Sequence, residues 1–318
     1  MANKVVFLFG AGASNGAIHV DPYCPPLMRE LYDELAKCYP NEWGLTSRLS
    51  PHADQFRDNF EATFSEVVLK IPKDSAPPFM VDSLTLLEKQ RVLAKYFSQF
   101  VLHSNGMDLY TKLLISLSNA GQILDCLIAT LNYDCLVEQA ADRIGLRVDY
   151  LCTERKSVRV AKLHGSCNFI TKRLSQHGRA MLASSGLHYE IDVDFLPAVN
   201  VKDALSQRLC GPQVEYLPVM SQVSPGKEHF VAPGKIQQIR NAWSGALSTT
   251  PTLVIIGVAH NRNDRHVVEP IRQTRAKIFY VGDNCNFIKW QAENKAFEHV
   301  EQKFEHGFKG IIQRLGIG

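Results

Sequence analysis

The sequence predicts an α/β protein built on a doubly wound, parallel, Rossmann-like sheet with an associated helical layer or subdomain. Short apolar runs that end at glycine or a polar turn recur at 4–9, 123–131, 251–258 and 276–283. Such runs are typical of strands that are buried on both faces. Helical patterns separate these runs, and strands that alternate with helices favour a parallel sheet. A length of 318 residues allows one large α/β domain or two small ones, and we expect residues 1–318 to form a single domain.

The chain between the first two predicted strands is mainly helical. From Leu27 onward, the pattern LMRELYDELAKCY places Leu27, Leu31 and Leu35 on one face of an amphipathic helix. A segment of this length is too long for one crossover connection, so we predict a helical insertion or layer over 19–120. Its further helices are expected at 54–70, 81–103 and 107–120.

The second half of the chain contains one irregular segment. Residues 170–233 hold several glycines and prolines and no long periodicity, and we expect a lid or a partner contact there. Helical patterns follow at 234–247 and at 290–315, the second of which we predict to be the final helix.

Composition excludes several classes of protein. The net charge is only +3, from 35 basic and 32 acidic residues, so direct nucleic-acid binding is not expected. We interpret the one basic run, 155–162, as a strand edge.

No run approaches the roughly 18 apolar residues that span a bilayer, and no signal-peptide cleavage site follows the first strand. Eight dispersed cysteines form no C-x-x-C pair, which favours a cytoplasmic location without disulfides. His260 and His266 are interpreted as surface groups rather than zinc ligands.

A glycine-rich turn directly follows the first predicted strand. Gly10, Gly12 and Gly16 have the spacing G-x-G-x-x-x-G, with Asn15 at the place of the third glycine in the usual dinucleotide fingerprint. No acidic residue ends a second strand about twenty residues later, so an ordinary dehydrogenase is disfavoured. The turn fits a pyrophosphate site, with a plain tight turn as the alternative.

Five segments in this order resemble the SIR2 (sirtuin-like) superfamily. FGAGAS at 9–14 resembles its phosphate loop, TLNYD at 130–134 its T-x-N-x-D motif, and KLHGS at 162–166 its histidine–glycine step. IIGVAHNRND at 255–264 resembles its later glycine turn, and YVGDN at 280–284 its strand end near the adenosine. All five follow predicted strands, where open parallel sheets bind ligands.

The two candidate catalytic residues are Asn132 and His164. Cleavage of the nicotinamide–ribose bond of NAD+ passes through an oxocarbenium-like state, as glycoside hydrolysis does. The amide of Asn132 can bind a ribose hydroxyl and a water, and His164 can accept a proton near neutral pH. A helix-capping turn at Asn132 and a structural histidine at His164 remain alternatives. Asp134 can either orient the carboxamide or cap the next helix.

The resemblance also implies a set of cofactor-binding residues. Asp264 is either one of these or the N-cap of a helix. The set comprises Gly10, Ala11, Gly12, Ala13, Ser14, Asn132, Asp134, Gly257, Val258, Asp264 and Asp283.

The missing cysteine pairs indicate which branch of the superfamily the chain resembles. Protein deacylases usually carry a four-cysteine zinc module, whereas this chain is similar to zinc-free SIR2-like effectors of bacterial antiphage defence. That resemblance implies an NAD+ glycohydrolase that releases nicotinamide and ADP-ribose without a metal. It also implies a homo-oligomer and a separate regulatory partner, such as a ring ATPase or a phage-sensing subunit. The alternatives are a non-catalytic sensor of NAD+ or ADP-ribose and, disfavoured by the missing module, a deacylase or ADP-ribosyltransferase.

Overall fold

A computed structural model describes most of the chain. Its contacts define two compact units, of which unit 1 comprises Met1–Pro25, Phe100–His164 and Ile236–Gly318, and unit 2 comprises Pro26–Gln99 and Gly165–Lys235. The described residues are 4–44, 46–67, 83–154, 156–174, 190–209, 215–221 and 231–317.

Unit 1 contains a seven-stranded sheet in which every neighbouring pair is parallel. The prediction of a parallel α/β sheet is therefore confirmed. The strands are β1 (Val5–Phe9), β4 (Cys126–Thr130), β5 (Val148–Asp149), β6 (Val158–Lys162), β10 (Thr252–Ile256), β11 (Lys277–Val281) and β12 (Phe297–Glu301). Their order across the sheet is β12-β11-β10-β1-β4-β6-β5.

The strand order reverses beside β1. After β1 the chain builds β4, β5 and β6 on one side, and it then returns to place β10, β11 and β12 on the other. All residues of β1 and β4 are buried, as central strands between two helical layers should be. The carboxyl ends of β1 and β10 thus form the switch point at which such sheets bind ligands.

The predicted final helix over 290–315 is wrong in its extent. Residues in this range form the end of one helix, the edge strand β12 and a second helix. β12 reads FEHVE and is only half-buried, because an edge strand faces solvent along one side. Because the sequence of β12 contains no continuous apolar run, it does not predict a strand.

Helices of unit 1 connect these strands, and a small ladder joins two loops. The two-residue strands β2 (Val20–Asp21) and β3 (Val101–Leu102) pair antiparallel. The helices are α1 (Ala11–Asn15), α6 (Leu109–Asn119), α7 (Leu136–Arg143), α9 (Pro233–Leu247, whose first three residues belong to unit 2), α10 (Arg265–Gln273), α11 (Asn284–Glu293) and α12 (Phe304–Leu315).

Unit 2 combines helices with a three-stranded antiparallel sheet. Its elements are α2 (Met28–Cys38), α3 (Ala53–Asp58), α4 (Phe60–Val67), α5 (Ser83–Phe97), β7 (Gly165–Thr171), β8 (Val193–Phe195), α8 (Val201–Arg208) and β9 (Pro218–Met220). The order in the sheet is β8-β7-β9. A cluster of aromatic rings, including the Tyr32–Phe56 stack at 5.1 Å, fills the space between α2, α3 and α4.

The described part of 19–120 is mainly helical, but two predicted boundaries change. The segment 54–70 holds two helices rather than one, because Asn59 adopts an extended conformation (φ −151°, ψ 88°) between them. The helix predicted over 81–103 ends at Phe97, and the chain then continues into β3. Much of 170–233 lies outside the described residues, and its role as a lid or partner contact stays a prediction. No helix in the described part of the chain is long and apolar enough to cross a bilayer.

Candidate active site

Four strands of unit 1 end at the same level. Phe9 of β1 pairs with Thr130 of β4 and with Ile256 of β10, and Thr130 pairs with Lys162 of β6. The residues that follow these strands therefore share one edge of the sheet. Asn132 and His164 each lie two residues beyond neighbouring strand ends, and both are buried.

The two glycine turns predicted to bind phosphate contact each other. The amide of Gly10 donates to the carbonyl oxygen of Ile256 (2.9 Å), and the amide of Gly12 donates to that of Gly257 (3.0 Å). Gly257 has φ +64°, and a Cβ there would lie 2.2 Å from the amide nitrogen of Ala13. Only glycine fits such a position. Two amides expected to reach a pyrophosphate are thus already bonded to the neighbouring turn.

Asn132 is attached to the glycine-rich turn through its side chain. Its Nδ2 donates to the carbonyl oxygen of Gly10 (2.9 Å) and to Oγ of Ser14 (2.8 Å). Its backbone amide donates to Oγ1 of Thr130 (3.0 Å), which fixes the turn after β4. Because the carbonyl of Gly10 can only accept, this orientation of the amide group is required. Asn132 would therefore meet a ligand through Oδ1.

The hydroxyl of Ser14 contacts three polar side chains. Besides the bond from Asn132, its hydroxyl lies 3.0 Å from the hydroxyl of Tyr110 and hydrogen-bonds the carboxyl of Asp134. Burial raises the pKa of Asp134 above its ordinary value, and the positive charge of Lys162 offsets part of this rise. Oδ1 of Asp134 also accepts from the amide of Leu136, the first residue of α7 (3.2 Å), although Cys135 occupies the N-cap position of that helix. Ser14 bonds both Asn132 and Asp134, so the three side chains form one hydrogen-bond network that holds Asn132 in place.

Lys162 and Glu138 form a buried ion pair next to Asp134. Lys162 Nζ lies 3.2 Å from Oε1 of Glu138, and the two side chains are 1% and 2% exposed. The ammonium also donates to the backbone carbonyl of Asp134. Burial raises the pKa of Glu138, and Lys162 opposes this. Two carboxyls thus face one cation, and the bond from this cation to the carbonyl of Asp134 ties the turn that carries Asn132 to β6.

His164 contacts two residues of the loop and helix after β10. Its Nε2 lies 3.0 Å from Nε2 of His266, and the rings cross at 65°. The same nitrogen lies 3.9 Å from Oδ2 of Asp264. Asp264 stands at the N-cap position of α10, but its side chain makes no capping bond. Asp264 thus occupies the predicted N-cap position without a side-chain cap, its carboxylate lies beside His164, and its contact with NAD+ stays a prediction.

Two residues of α9 fix the backbone around this histidine pair. Nε of Arg240 donates to the carbonyl of Leu163 (3.0 Å), and Nε1 of Trp243 donates to that of His266 (3.2 Å). Burial lowers the pKa of Arg240 to about 10, against the attraction of Asp264. Both backbone segments that carry the histidines are therefore tied to one helix.

Val258 and Asp283 make structural contacts at the ends of β10 and β11. The carbonyl of Val258 accepts from the hydroxyl of Tyr280 (3.1 Å) and from Nε1 of Trp290 (3.2 Å). Asp283 is the N-cap of α11, where its carboxylate accepts from the amide and the side chain of Asn286 (2.9 and 2.7 Å). Their predicted contacts with NAD+ stay predictions.

His260 differs from its predicted surface position. Its side chain is 6% exposed, and its Nε2 lies 3.1 Å from Oε1 of Glu293. Burial lowers the pKa of His260, and the hydrogen bond to Glu293 raises it. His260 is therefore a partly buried partner of Glu293 rather than a free surface group.

Several site residues were missed in the sequence. His266 was interpreted as a surface group, and Tyr110, Glu138 and Lys162 lie in helices or strands without any motif. Of these residues, Lys162 is the one that the sequence could have indicated, because a lysine at the end of a buried strand requires a buried acidic partner. Among the described residues, no group of three or more histidine, cysteine, aspartate or glutamate side chains is arranged to hold a metal.

Comparisons with known proteins found similarity to solved structures but not to known sequences or family models. No protein-family model matches the chain, and no curated protein matches its sequence. The chain is similar to a crystal structure of SIR2 in complex with the inhibitor EX-527, 2′-O-acetyl-ADP-ribose and a deacetylated p53 peptide. The two share 14% sequence identity over 99% of this chain and 94% of that chain, with a TM-score of 0.44. The α/β assignment rests on the sheet topology of this chain itself.

Proposed function

We propose that this chain is a SIR2-like NAD+ glycohydrolase, which cleaves the nicotinamide–ribose bond and releases nicotinamide and ADP-ribose. The observation that carries the proposal is the position of Asn132 and His164. They lie at the same step beyond two adjacent parallel strands, and Asn132 is bonded to the glycine-rich turn at the switch point of the sheet. NAD+ is the substrate, and no residue role in this proposal requires a metal.

Asn132 would bind the ribose and the attacking water. Its Nδ2 is held by Gly10 and Ser14, so Oδ1 would accept a hydrogen bond from a ribose hydroxyl or from the water. Bonds on the opposite side of the amide fix this orientation before the substrate arrives. Such preorganisation favours the transition state, since the protein need not rearrange during the reaction.

His164 would act as the general base. A neutral imidazole accepts a proton from a ribose hydroxyl or from water as the oxocarbenium-like centre is attacked. Nicotinamide leaves as a neutral ring, so no strong acid is needed. Asp264, 3.9 Å from Nε2, would stabilise the imidazolium that forms.

The biological role is proposed from the resemblance of the sequence to antiphage effectors. NAD+ depletion would then stop phage growth in the cytoplasm of an infected cell. Because an unregulated NAD+ hydrolase would kill its host, we propose a homo-oligomer under the control of a separate partner, such as a ring ATPase or a phage-sensing subunit.

The direct test is to incubate the purified chain with NAD+, with and without candidate partners, and to separate the products by chromatography. Equal amounts of nicotinamide and ADP-ribose are expected. Binding of NAD+ without nicotinamide release under every activating condition would instead favour the non-catalytic sensor. Release that depends on an acylated-lysine or other protein acceptor would favour a deacylase or ADP-ribosyltransferase.

A further inference from the structure

A second histidine lies in direct contact with the proposed base. His266 is the second residue of α10, and its Nε2 lies 3.0 Å from Nε2 of His164. His164 is almost fully buried, whereas His266 is half-buried. The side chains come from different parts of unit 1, and Arg240 and Trp243 hold the backbone of both segments. The contact is therefore built into the fold of this unit.

Two imidazole nitrogens at hydrogen-bond distance share one proton. One Nε2 must carry the hydrogen and the other must accept it, because two N–H groups or two lone pairs facing each other repel. In this geometry the pair can hold only one positive charge, since a second proton would place two N–H donors 3.0 Å apart. The two rings therefore titrate as one unit.

We propose that His266 is a positioning residue that controls the protonation of His164. It accepts the Nε2 proton of His164, so that Nδ1 of His164 keeps its lone pair. When Nδ1 takes a proton from a ribose hydroxyl or water, His164 becomes an imidazolium with two N–H groups. Its Nε2–H then donates a charge-assisted hydrogen bond to neutral His266. This role in turnover rests on the proposed NAD+ cleavage, whereas the shared proton does not.

The charged groups around the pair favour a single added proton. Asp264 faces Nε2 of His164 at 3.9 Å from the start of α10. Arg240 on α9 interacts with Asp264 and with Tyr133, and its charge offsets part of the attraction of Asp264. One carboxylate that is opposed by one guanidinium stabilises the pair with one protonated ring better than the pair with two protonated rings.

Two variants separate control of protonation from simple packing. His266→Leu removes the acceptor, and His266→Gln keeps an acceptor that does not titrate. The first measurement is an NMR titration of the histidine ring signals from pH 5 to 8, which needs no catalytic activity. In the wild type, the pair takes up one proton, so we expect the signals of His164 and His266 to move together in one shared step. In both variants, we expect His164 to titrate in one step, at a pH roughly one unit lower in His266→Leu because the charge-assisted bond is lost.

The second measurement is the pH dependence of nicotinamide release. His266→Leu should lower kcat about tenfold and shift the acid limb of the profile to lower pH, and His266→Gln should restore most of kcat. His306→Gln, on the exposed face of α12, is the control and should change neither readout. A single-step titration of His164 that is identical in the wild type and both variants would overturn the inference. Coupled titration without any nicotinamide release would support the shared proton and count against the proposed NAD+ cleavage.

Discussion

Lys162 and Glu138 form an ion pair that is almost completely removed from solvent. Their Nζ and Oε1 atoms lie 3.2 Å apart, and the ammonium also contacts the backbone of Asp134. A buried charge that loses its partner is strongly destabilising, whereas a pair replaced by apolar groups often is not. The pair therefore allows a test of how the turn carrying Asn132 is held in place.

Lys162→Met should lower the free energy of unfolding by about 3–5 kcal/mol, because Glu138 would remain buried without a cation. The double variant Lys162→Met/Glu138→Leu should recover more than half of that loss. Urea denaturation at pH 7 measures both quantities. Equal destabilisation in the single and double variants would contradict the ion pair as the cause.

Glu138→Gln should reduce the dependence of stability on pH. Burial raises the pKa of Glu138 above its ordinary value of 4.5, so the folded protein binds this proton more tightly than the unfolded chain does. The contribution of this carboxyl to stability is thus fully present below pH 4.5, and it falls as pH rises towards the folded pKa.

The wild type should therefore lose more stability than Glu138→Gln between pH 4.5 and the folded pKa of Glu138. The free energy of unfolding measured in urea at several pH values gives both curves. Parallel curves for the two proteins would show that Glu138 does not titrate in this way.

Gly257→Ala should disrupt the contact between the two glycine turns. A Cβ at this position would lie 2.2 Å from the amide nitrogen of Ala13. Gly145 is the matched control, since it also has a positive φ (+72°) but no atom within 4 Å of an added Cβ. Gly145→Ala should cost about 1 kcal/mol of backbone strain, and Gly257→Ala should cost at least 2 kcal/mol more and abolish NAD+ binding. Thermal unfolding and calorimetric titration with NAD+ measure the two effects, and equal losses of stability would argue against close packing of the turns.

Asp283→Ala should weaken the start of α11. Burial raises the pKa of Asp283, but the hydrogen bonds from Asn286 together lower it below its ordinary value. Its stabilising contribution is therefore present above pH 3.8 and is lost as pH falls through the lower folded pKa.

At pH 7, Asp283→Ala should lose about 1 kcal/mol of stability, while Asp283→Asn, which can still cap the helix, should lose less. Urea denaturation compares the variants. Should Asp283→Asn preserve stability but weaken NAD+ binding, the prediction that Asp283 contacts the substrate would gain support. Equal stability of Asp283→Ala and the wild type would exclude the capping role.

The sequence was sufficient to predict the parallel sheet and the strand ends at which the site lies. β1, β4, β10 and β11 are continuous apolar runs, and a run of that kind has few alternatives in an α/β protein. β12 was missed because an edge strand is half-solvated and its pattern resembles that of the helices on either side.

The supporting residues of the site could not be predicted in the same way. The contact between His164 and His266 joins residues 102 positions apart, and that between Ser14 and Tyr110 joins residues 96 apart. Neither spacing has a local signature, because the contacts depend on how α6 and α10 pack beside the sheet. Asn132 and His164 could be proposed as candidates because strand ends and family-like motifs coincide there.

The release of nicotinamide from NAD+ by Asn132→Ala and His164→Ala tests the central claim most directly. Wild type, both variants and the exposed-residue control His306→Ala are incubated with NAD+ under the same activating condition, and nicotinamide and ADP-ribose are quantified together. Circular dichroism and urea denaturation establish that each variant is folded. We expect the wild type and His306→Ala to release both products in equal amounts, and each site variant to be slower by roughly 100-fold or more. Release at the wild-type rate by folded Asn132→Ala and His164→Ala would contradict the proposed active site.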